Sequence, residues 1–296
     1  MTKIEVLPDE RRGKLKGIVC IIASAFCFAL MNLFVRLSGD LPSVQKSFFR
    51  NLVAFFFALA VMQKERIRFS QARANLMPLV LRSAFGTAGI LGNFYAVDHL
   101  ALADASMLNK MSPFFAIVFS CFILKEKVRP FQGFAVAVAF LGSLLIIKPT
   151  VVGMDAFPAV LGFWGGMCAG AAYTMVRYLS ERGVKGPVIV CFFSGFSCLV
   201  TLPFLIFGFH PMTGRQLLIL LLAGLSAAGG QFSITAAYSY APAREISVYD
   251  YSQILFSAGL GYFAFGQIPD WMSWLGYLII CSMAVAVFFY NNRKGR

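Results

Sequence analysis

Leu15–Leu37 reads LKGIVCIIASAFCFALMNLFVRL, with charge only at Lys16 and Arg36, near its two ends. A helix needs about 20 predominantly apolar residues to cross the hydrocarbon core of a bilayer. This stretch supplies them, and it decides the class of fold. Basic Arg11, Arg12, Lys14 and Lys16 precede its apolar run, as basic residues precede the apolar core of a signal peptide. The apolar run is too long for that role and carries no clear small-x-small cleavage site. An uncleaved first span is expected.

Nine further windows share its character. They run approximately Ser43–Met62, Leu76–Asp98, Ala101–Leu124, Phe131–Ile147, Phe157–Leu179, Pro187–Phe207, Gln216–Tyr240, Ala243–Phe265 and Met272–Tyr290. The chain therefore reads as an all-α integral membrane protein of ten transmembrane helices. Composition agrees, at 59% hydrophobic and 13% charged residues with a mean hydropathy of +0.75. A soluble domain carries about 25% charged residues. Only a bilayer covers so much apolar surface.

The net charge of +13 follows the membrane, not a nucleic acid. Nucleic-acid binders gather Lys and Arg on one solvated face, whereas here they lie mostly in short segments between the windows. With the N-terminus inside, 19 of the 26 fall on the cytoplasmic side and 4 on the outer side. The remaining three, Arg50, Arg82 and Lys110, lie within spans. Positive residues favour the cytoplasmic face, so both termini are expected in the cytoplasm of a cell-membrane protein.

The windows fall into two five-helix units, 15–148 and 157–290, between short cytoplasmic tails at 1–14 and 291–296. Phe34-Val35-Arg36-Leu37-Ser38 ends the first helix, and Met175-Val176-Arg177-Tyr178-Leu179-Ser180 ends the sixth. Phe48-Phe49-Arg50 in the second matches Phe192-Phe193-Ser194 in the seventh. Ala101-Leu102-Ala103 matches Ala241-Pro242-Ala243, and Ser112 matches Ser252. Five is odd, so the second unit runs in the opposite sense. Inverted repeats of this kind allow two related packings, one open to each side.

Ionisable groups within a span are costly and face a cavity or a partner. Arg50, Arg82, Lys110 and Asp250 are the candidates here, and the repeat pairs Lys110 with Asp250. Either these groups line a solute path, with Asp250 also able to exchange a proton, or Lys110 and Asp250 pair with each other while Arg50 and Arg82 hydrogen-bond to carbonyls of neighbouring helices. Asn93, Tyr95, Trp164, Tyr173, Gln231 and Tyr249 are candidates to complete a pocket, with Asn32, Asn109 and Tyr251. Each equally suits interhelical packing. Asp104 and Glu245 sit at helix starts, where a carboxylate favours the positive end of the dipole. Trp271 and Trp274 are placed as interface anchors. Gly162, Gly166 and Gly170 form a GxxxGxxxG face for close helix contact. Pro113 is expected to kink the fourth helix beside Lys110, as a gating element. The seven cysteines all lie in apolar runs without a CxxC pair, and His99 and His210 are too sparse for a metal site. No phosphate-binding GxxxxGK[ST] and no HExxH is present. No cofactor and no catalytic set is expected, hence no enzyme.

Arg82-Ser83-Ala84-Phe85-Gly86, Asn93-Phe94-Tyr95-Ala96, Leu100-Ala101-Leu102-Ala103-Asp104-Ala105-Ser106, Ser112-Pro113-Phe114-Phe115 and Leu124-Lys125-Glu126 occur in that order. This series resembles the drug/metabolite transporter superfamily, EamA type, over nearly the whole chain. The resemblance implies ten helices in two inverted repeats, both termini inside, and alternating access around a central cavity. It also implies a small-molecule solute and leaves the oligomeric state open; a proton is a candidate coupling ion through Asp250, since the first-helix glutamate that small multidrug relatives use for proton-coupled export of lipophilic cations is absent here. The second unit departs from the pattern: Ser252-Gln253 replaces Ser-Pro, and Gly266-Gln267 replaces Gly-Glu. The expected function is secondary transport of a small polar metabolite, an amino acid or organic anion by the excess of basic groups at depth. Alternatives are a lipid or lipid-linked-sugar flippase or a drug exporter of the same fold, or a non-transporting scaffold.

Overall fold

A computed structural model describes residues 8–67, 74–123, 130–147, 156–240 and 247–293. All regular structure among them is helical. In chain order the helices are α1 (Pro8–Leu37), α2 (Ser43–Lys64), α3 (Leu76–His99), α4 (Leu102–Asn109), α5 (Ser112–Ile123) and α6 (Pro130–Ile147). The second half comprises α7 (Phe157–Glu181), α8 (Gly186–Phe207), α9 (Gly214–Tyr240), a 3-10 turn (Ser247–Tyr251), α10 (Ser252–Phe265) and α11 (Trp271–Arg293).

Seven stretches among the described residues are long and apolar enough to cross a membrane. They are Leu15–Leu37, Ser43–Lys64, Leu102–Ile123, Phe157–Glu181, Gly186–Phe207, Gly214–Ile234 and Trp271–Tyr290. Gly133–Ile146 is a shorter apolar helix. α3 has 24 residues, about 36 Å at 1.5 Å per residue. Its polar side chains Arg82, Ser83, Thr87 and Asn93 are buried against neighbours.

The packing mainly joins one half to the other. α1 lies on α9 and α3 lies on α7; α2 meets α8, and α6 meets α11. α5 touches α7 as α10 touches α1, and α2 touches α9 as α8 touches α3. Exchange of the halves thus carries each of these interfaces onto itself or onto another. Glycines permit the closest approaches. A Cβ on Gly92 of α3 would lie 2.7 Å from the Leu161 carbonyl of α7, and one on Gly276 of α11 would lie 2.8 Å from the Gly142 carbonyl of α6. The GxxxGxxxG face behaves as its spacing suggests. Gly162 abuts Ala96 and Leu108, Gly166 the Leu108 carbonyl, and Gly170 Phe115 and the Ser112 carbonyl.

Two windows read as continuous helices are broken. The fourth divides at Lys110 and Met111, between α4 and α5. Pro113 is the cause, but not as a mid-helix kink: it is the second residue of α5, where its missing N–H costs nothing. Its effect falls one turn earlier. The Asn109 carbonyl has no N–H donor four residues on, and α4 stops there. The described part of the ninth window begins with the 3-10 turn Ser247–Tyr251, so Asp250 precedes α10 and is not in mid-helix. Glu245, Arg244, Ala241-Pro242-Ala243 and Leu124-Lys125-Glu126 lie outside the described residues.

Candidate functional site

The two helix breaks face each other. Lys110 caps α4, and its Nζ donates to Asp250 Oδ2 at 2.5 Å. Both side chains are buried. The Tyr251 hydroxyl donates to the Lys110 carbonyl at 3.1 Å, serving a backbone acceptor near the break. Pairing is the natural response of two charges held away from water. The pairing is half complete, because Asp250 Oδ1 is buried with no hydrogen-bond partner among the described residues.

Arg50 of α2 and Arg82 of α3 are 3% and 4% exposed. They converge on one ring. The guanidinium carbon of Arg82 lies 3.8 Å from the Phe193 centroid, and that of Arg50 lies 5.9 Å from it. Phe193 comes from α8, so three helices from both halves meet here. Arg50 Nη1 donates to Asn51 Oδ1 at 2.6 Å, and Asn51 is fixed by donating to Ser197 Oγ of α8 at 2.8 Å. Nε of both arginines and Nη1 of Arg82 are buried without a hydrogen-bond partner among the described residues. Among the described residues neither guanidinium forms a salt bridge. Tyr173 of α7 interacts electrostatically with Arg50, Arg82 and Asp250, and is 39% exposed.

A polar chain also crosses the bundle. Asn93 of α3 donates to Asn32 Oδ1 of α1 at 3.2 Å, and Asn32 donates to Ser106 Oγ of α4 at 3.4 Å. Ser106 Oγ then meets Ser257 Oγ of α10 at 2.7 Å. The other candidates are placed apart. Tyr95 stacks on His99 with centroids 4.2 Å apart and meets Phe157 edge-on. Trp164 and Tyr249 are exposed, and Gln231 is half-buried on α9. Asp104 lies in the first turn of α4 and accepts a hydrogen bond from the Tyr277 hydroxyl at 2.7 Å, tying that turn to α11.

Sequence reasoning counted Lys46 among the four basic residues on the outer side and gave Asp98 no role. Lys46 is fully buried, and its Nζ lies 2.6 Å from Asp98 Oδ1. Arg36 donates to the carbonyls of Val97 and Leu100. Gln45 and the backbone of His210 exchange two hydrogen bonds, at 2.9 and 3.0 Å. Gln216 donates to the Ser38 carbonyl, and Gln267 accepts from the Leu102 N–H. The bonds of Gln45 with His210, Gln216 with Ser38 and Gln267 with Leu102 fasten the two halves together at one end. The signal available was that the start of α2 and the end of α3 lie on the same side in a hairpin. A separate groove of about 430 Å³ between α5 and α6 is apolar, lined by Met111, Phe114, Phe115, Val136 and Phe140 among others.

Membrane-length helices in two interlocked halves, with charged side chains buried at helix breaks, define a membrane transporter. The chain belongs to the EamA-like transporter family, whose profile matches twice, at residues 15–148 and 156–289. It is 31% identical to the pseudopaline exporter of Pseudomonas aeruginosa, over 94% of this chain and 97% of that one. It is 26% identical to the riboflavin transporter of Rhizobium johnstonii, over 95% and 93%. Human solute carrier family 35 member G1 is 24% identical over 91% of this chain and 78% of its own. A solved crystal structure, 16% identical, shares the fold with a TM-score of 0.65 over 95% of this chain and 99% of that chain. The chain is thus an integral membrane protein of the drug/metabolite transporter superfamily.

Proposed function

We propose that the chain is a secondary transporter that moves a small polar metabolite of net negative charge across the cell membrane by alternating access. The observation that carries this reading is the Arg50–Arg82 pair, two buried guanidiniums with three nitrogens unpartnered and no salt bridge among the described residues. Two uncompensated cations at depth are costly unless an anion visits them. Lys110 and Asp250 neutralise each other, so the excess positive charge stays with the arginines.

The eleven α-helices of the described residues make ten spans: α4 with α5 is one, and the 3-10 turn with α10 is another. An odd number of spans per unit inverts the second unit, with both termini cytoplasmic. The exchange of helix interfaces between halves supports that arrangement. The polar latch around Lys46, Asp98, Gln45 and His210 supports an outward-closed conformer, since the charge bias puts those residues outside. Asp250 is the candidate for proton coupling. The names of the relatives, a pseudopaline exporter and a riboflavin transporter, agree with a small organic solute.

The test is uptake by proteoliposomes containing the purified chain, across a panel of monocarboxylates, dicarboxylates, amino acids, polyamines and neutral sugars. Uptake concentrated among acid-bearing solutes is expected; uptake confined to polyamines or sugars overturns the reading. The Phe-lined groove between α5 and α6 favours a second reading, a lipid flippase. Flipping of labelled phospholipid by the same vesicles, with no uptake of any acid, would establish it instead.

A further inference from the structure

Arg50 and Arg82 are held in different ways. Arg50 is tethered by hydrogen bonds: its Nη1 donates to Asn51 Oδ1, and Asn51 donates onward to Ser197 Oγ of α8 at 2.8 Å. Arg82 rests on a ring instead. Its Nε and Nη1 are buried with no hydrogen-bond partner among the described residues, and its guanidinium carbon lies 3.8 Å from the centre of Phe193. An edge-on approach at that distance would drive a nitrogen into the ring, so the guanidinium lies flat on it. Gly86, one turn after Arg82 on α3, makes the room. A Cβ there would fall 2.7 Å from Arg82 Nη1 and 2.9 Å from Phe193 Cε2. The cation is thus placed by a ring face and a bare Cα, neither of which offers an acceptor in its plane.

All five N–H donors of a guanidinium point outward in its own plane. A carboxylate side chain beside Arg82 would hold it in place, but would also occupy those donors and cancel the charge. A ring beneath the plane stabilises the charge through its quadrupole and leaves the edge free. A stacked guanidinium is therefore fixed in position and still able to take an acid edge-on, through two parallel N–H···O bonds.

We propose that Phe193 is a positioning residue of the anion site: its ring face holds the Arg82 guanidinium against Gly86 and leaves the guanidinium edge uncommitted for the acidic group of the solute. This rests on the reading of Arg50 and Arg82 as the groups that bind the solute. It adds that α8, from the second half of the chain, sets the geometry of a cation carried by the first.

Uptake of a radiolabelled acid by proteoliposomes, with thermal unfolding of each purified variant, tests this. Phe193→Leu keeps an apolar side chain and removes the ring face. It is expected to raise KM about tenfold with kcat unchanged, the pattern of lost binding. Phe193→Tyr restores the face and is expected to recover most of the lost affinity. In an Arg82→Gln background, Phe193→Leu is expected to raise KM by less than about twofold, because the ring acts through Arg82. Gly86→Ala presses on the same stack from the other side, and it serves if Phe193→Leu does not fold. The guanidinium ends a flexible side chain and yields to the added methyl group, so KM is again expected to rise. Unchanged KM in folded Phe193→Leu or Gly86→Ala would overturn the proposal. So would a Phe193→Leu effect of equal size with and without Arg82, which would make the ring a packing residue only. No saturable uptake of any acid by wild-type vesicles would instead remove the anion reading on which this role depends.

Discussion

Lys110 and Asp250 are 140 residues apart in the chain, occupy matching places in the two halves, and meet at 2.5 Å. Each sits where a helix is interrupted, one at the end of α4 and the other in the turn before α10. The pair therefore joins the end of α4 in one half to the turn before α10 in the other. An interrupted helix frees carbonyls and allows its two segments to tilt separately. A charge pair placed there holds one tilt.

Removing one partner should cost more than removing both. Lys110→Ala or Asp250→Ala leaves a buried charge uncompensated, at about 3–5 kcal/mol. The double variant, Lys110→Ala with Asp250→Ala, should unfold at a higher temperature than either single variant. Thermal unfolding in detergent, followed by tryptophan fluorescence, measures this. Additive losses in the double variant would show that the two side chains do not stabilise each other.

Arg50 and Arg82 should behave in the opposite way. Their guanidiniums are desolvated and only partly hydrogen-bonded. Arg82→Gln is expected to leave the unfolding temperature unchanged or raise it, while lowering solute affinity at least about tenfold. Saturation kinetics of uptake separates the two effects, with KM rising in the variant. A large fall in stability with KM unchanged would make Arg82 a structural residue.

The latch at the Lys46 end should open during transport. Gln45 and His210 exchange two hydrogen bonds between the halves. Gln45→Cys with His210→Cys, in a background lacking the seven native cysteines, is expected to form a disulfide under mild oxidant and halt uptake. Reduction should restore it. Full uptake with the disulfide in place would mean that this end stays closed throughout the cycle.

Close packing of α7 on the broken helix should tolerate no added methyl group. A Cβ at Gly166 would lie 2.4 Å from the Leu108 carbonyl. Gly166→Ala is expected to lower stability by about 1–3 kcal/mol through overpacking. Gly183→Ala serves as a contrast that tests strain instead, since Gly183 has φ +77 and nothing within 4 Å of a Cβ. Equal stability of Gly166→Ala and wild type would show that the α7 contact yields easily.

The membrane class and the two-unit organisation were legible because they depend on summed apolarity and on order along the chain. The buried charges were legible for the same reason, since a Lys or Arg within a span stands out against apolar neighbours. Pro113 announced a disruption, but its position misled by a turn, because a proline disturbs the carbonyl four residues before it. The break before α10 left no such mark: Gln253 stands where proline would be, and the turn depends on contacts of Asp250 and Tyr251 with a distant segment. Lys46 misled because a lysine near a helix start usually reaches water. Its burial depends on Asp98, 52 residues away, which no local pattern reveals. The convergence of Arg50 and Arg82 on Phe193 was hidden likewise, since it joins three helices from two halves.

The most direct measurement of the central claim is uptake of radiolabelled acids by proteoliposomes carrying wild-type protein or the variant Arg50→Gln with Arg82→Gln. Saturable uptake by the wild type, reduced at least about tenfold in the folded variant, is the predicted result. Undiminished uptake by the variant, with its native elution profile and unfolding temperature, would contradict it.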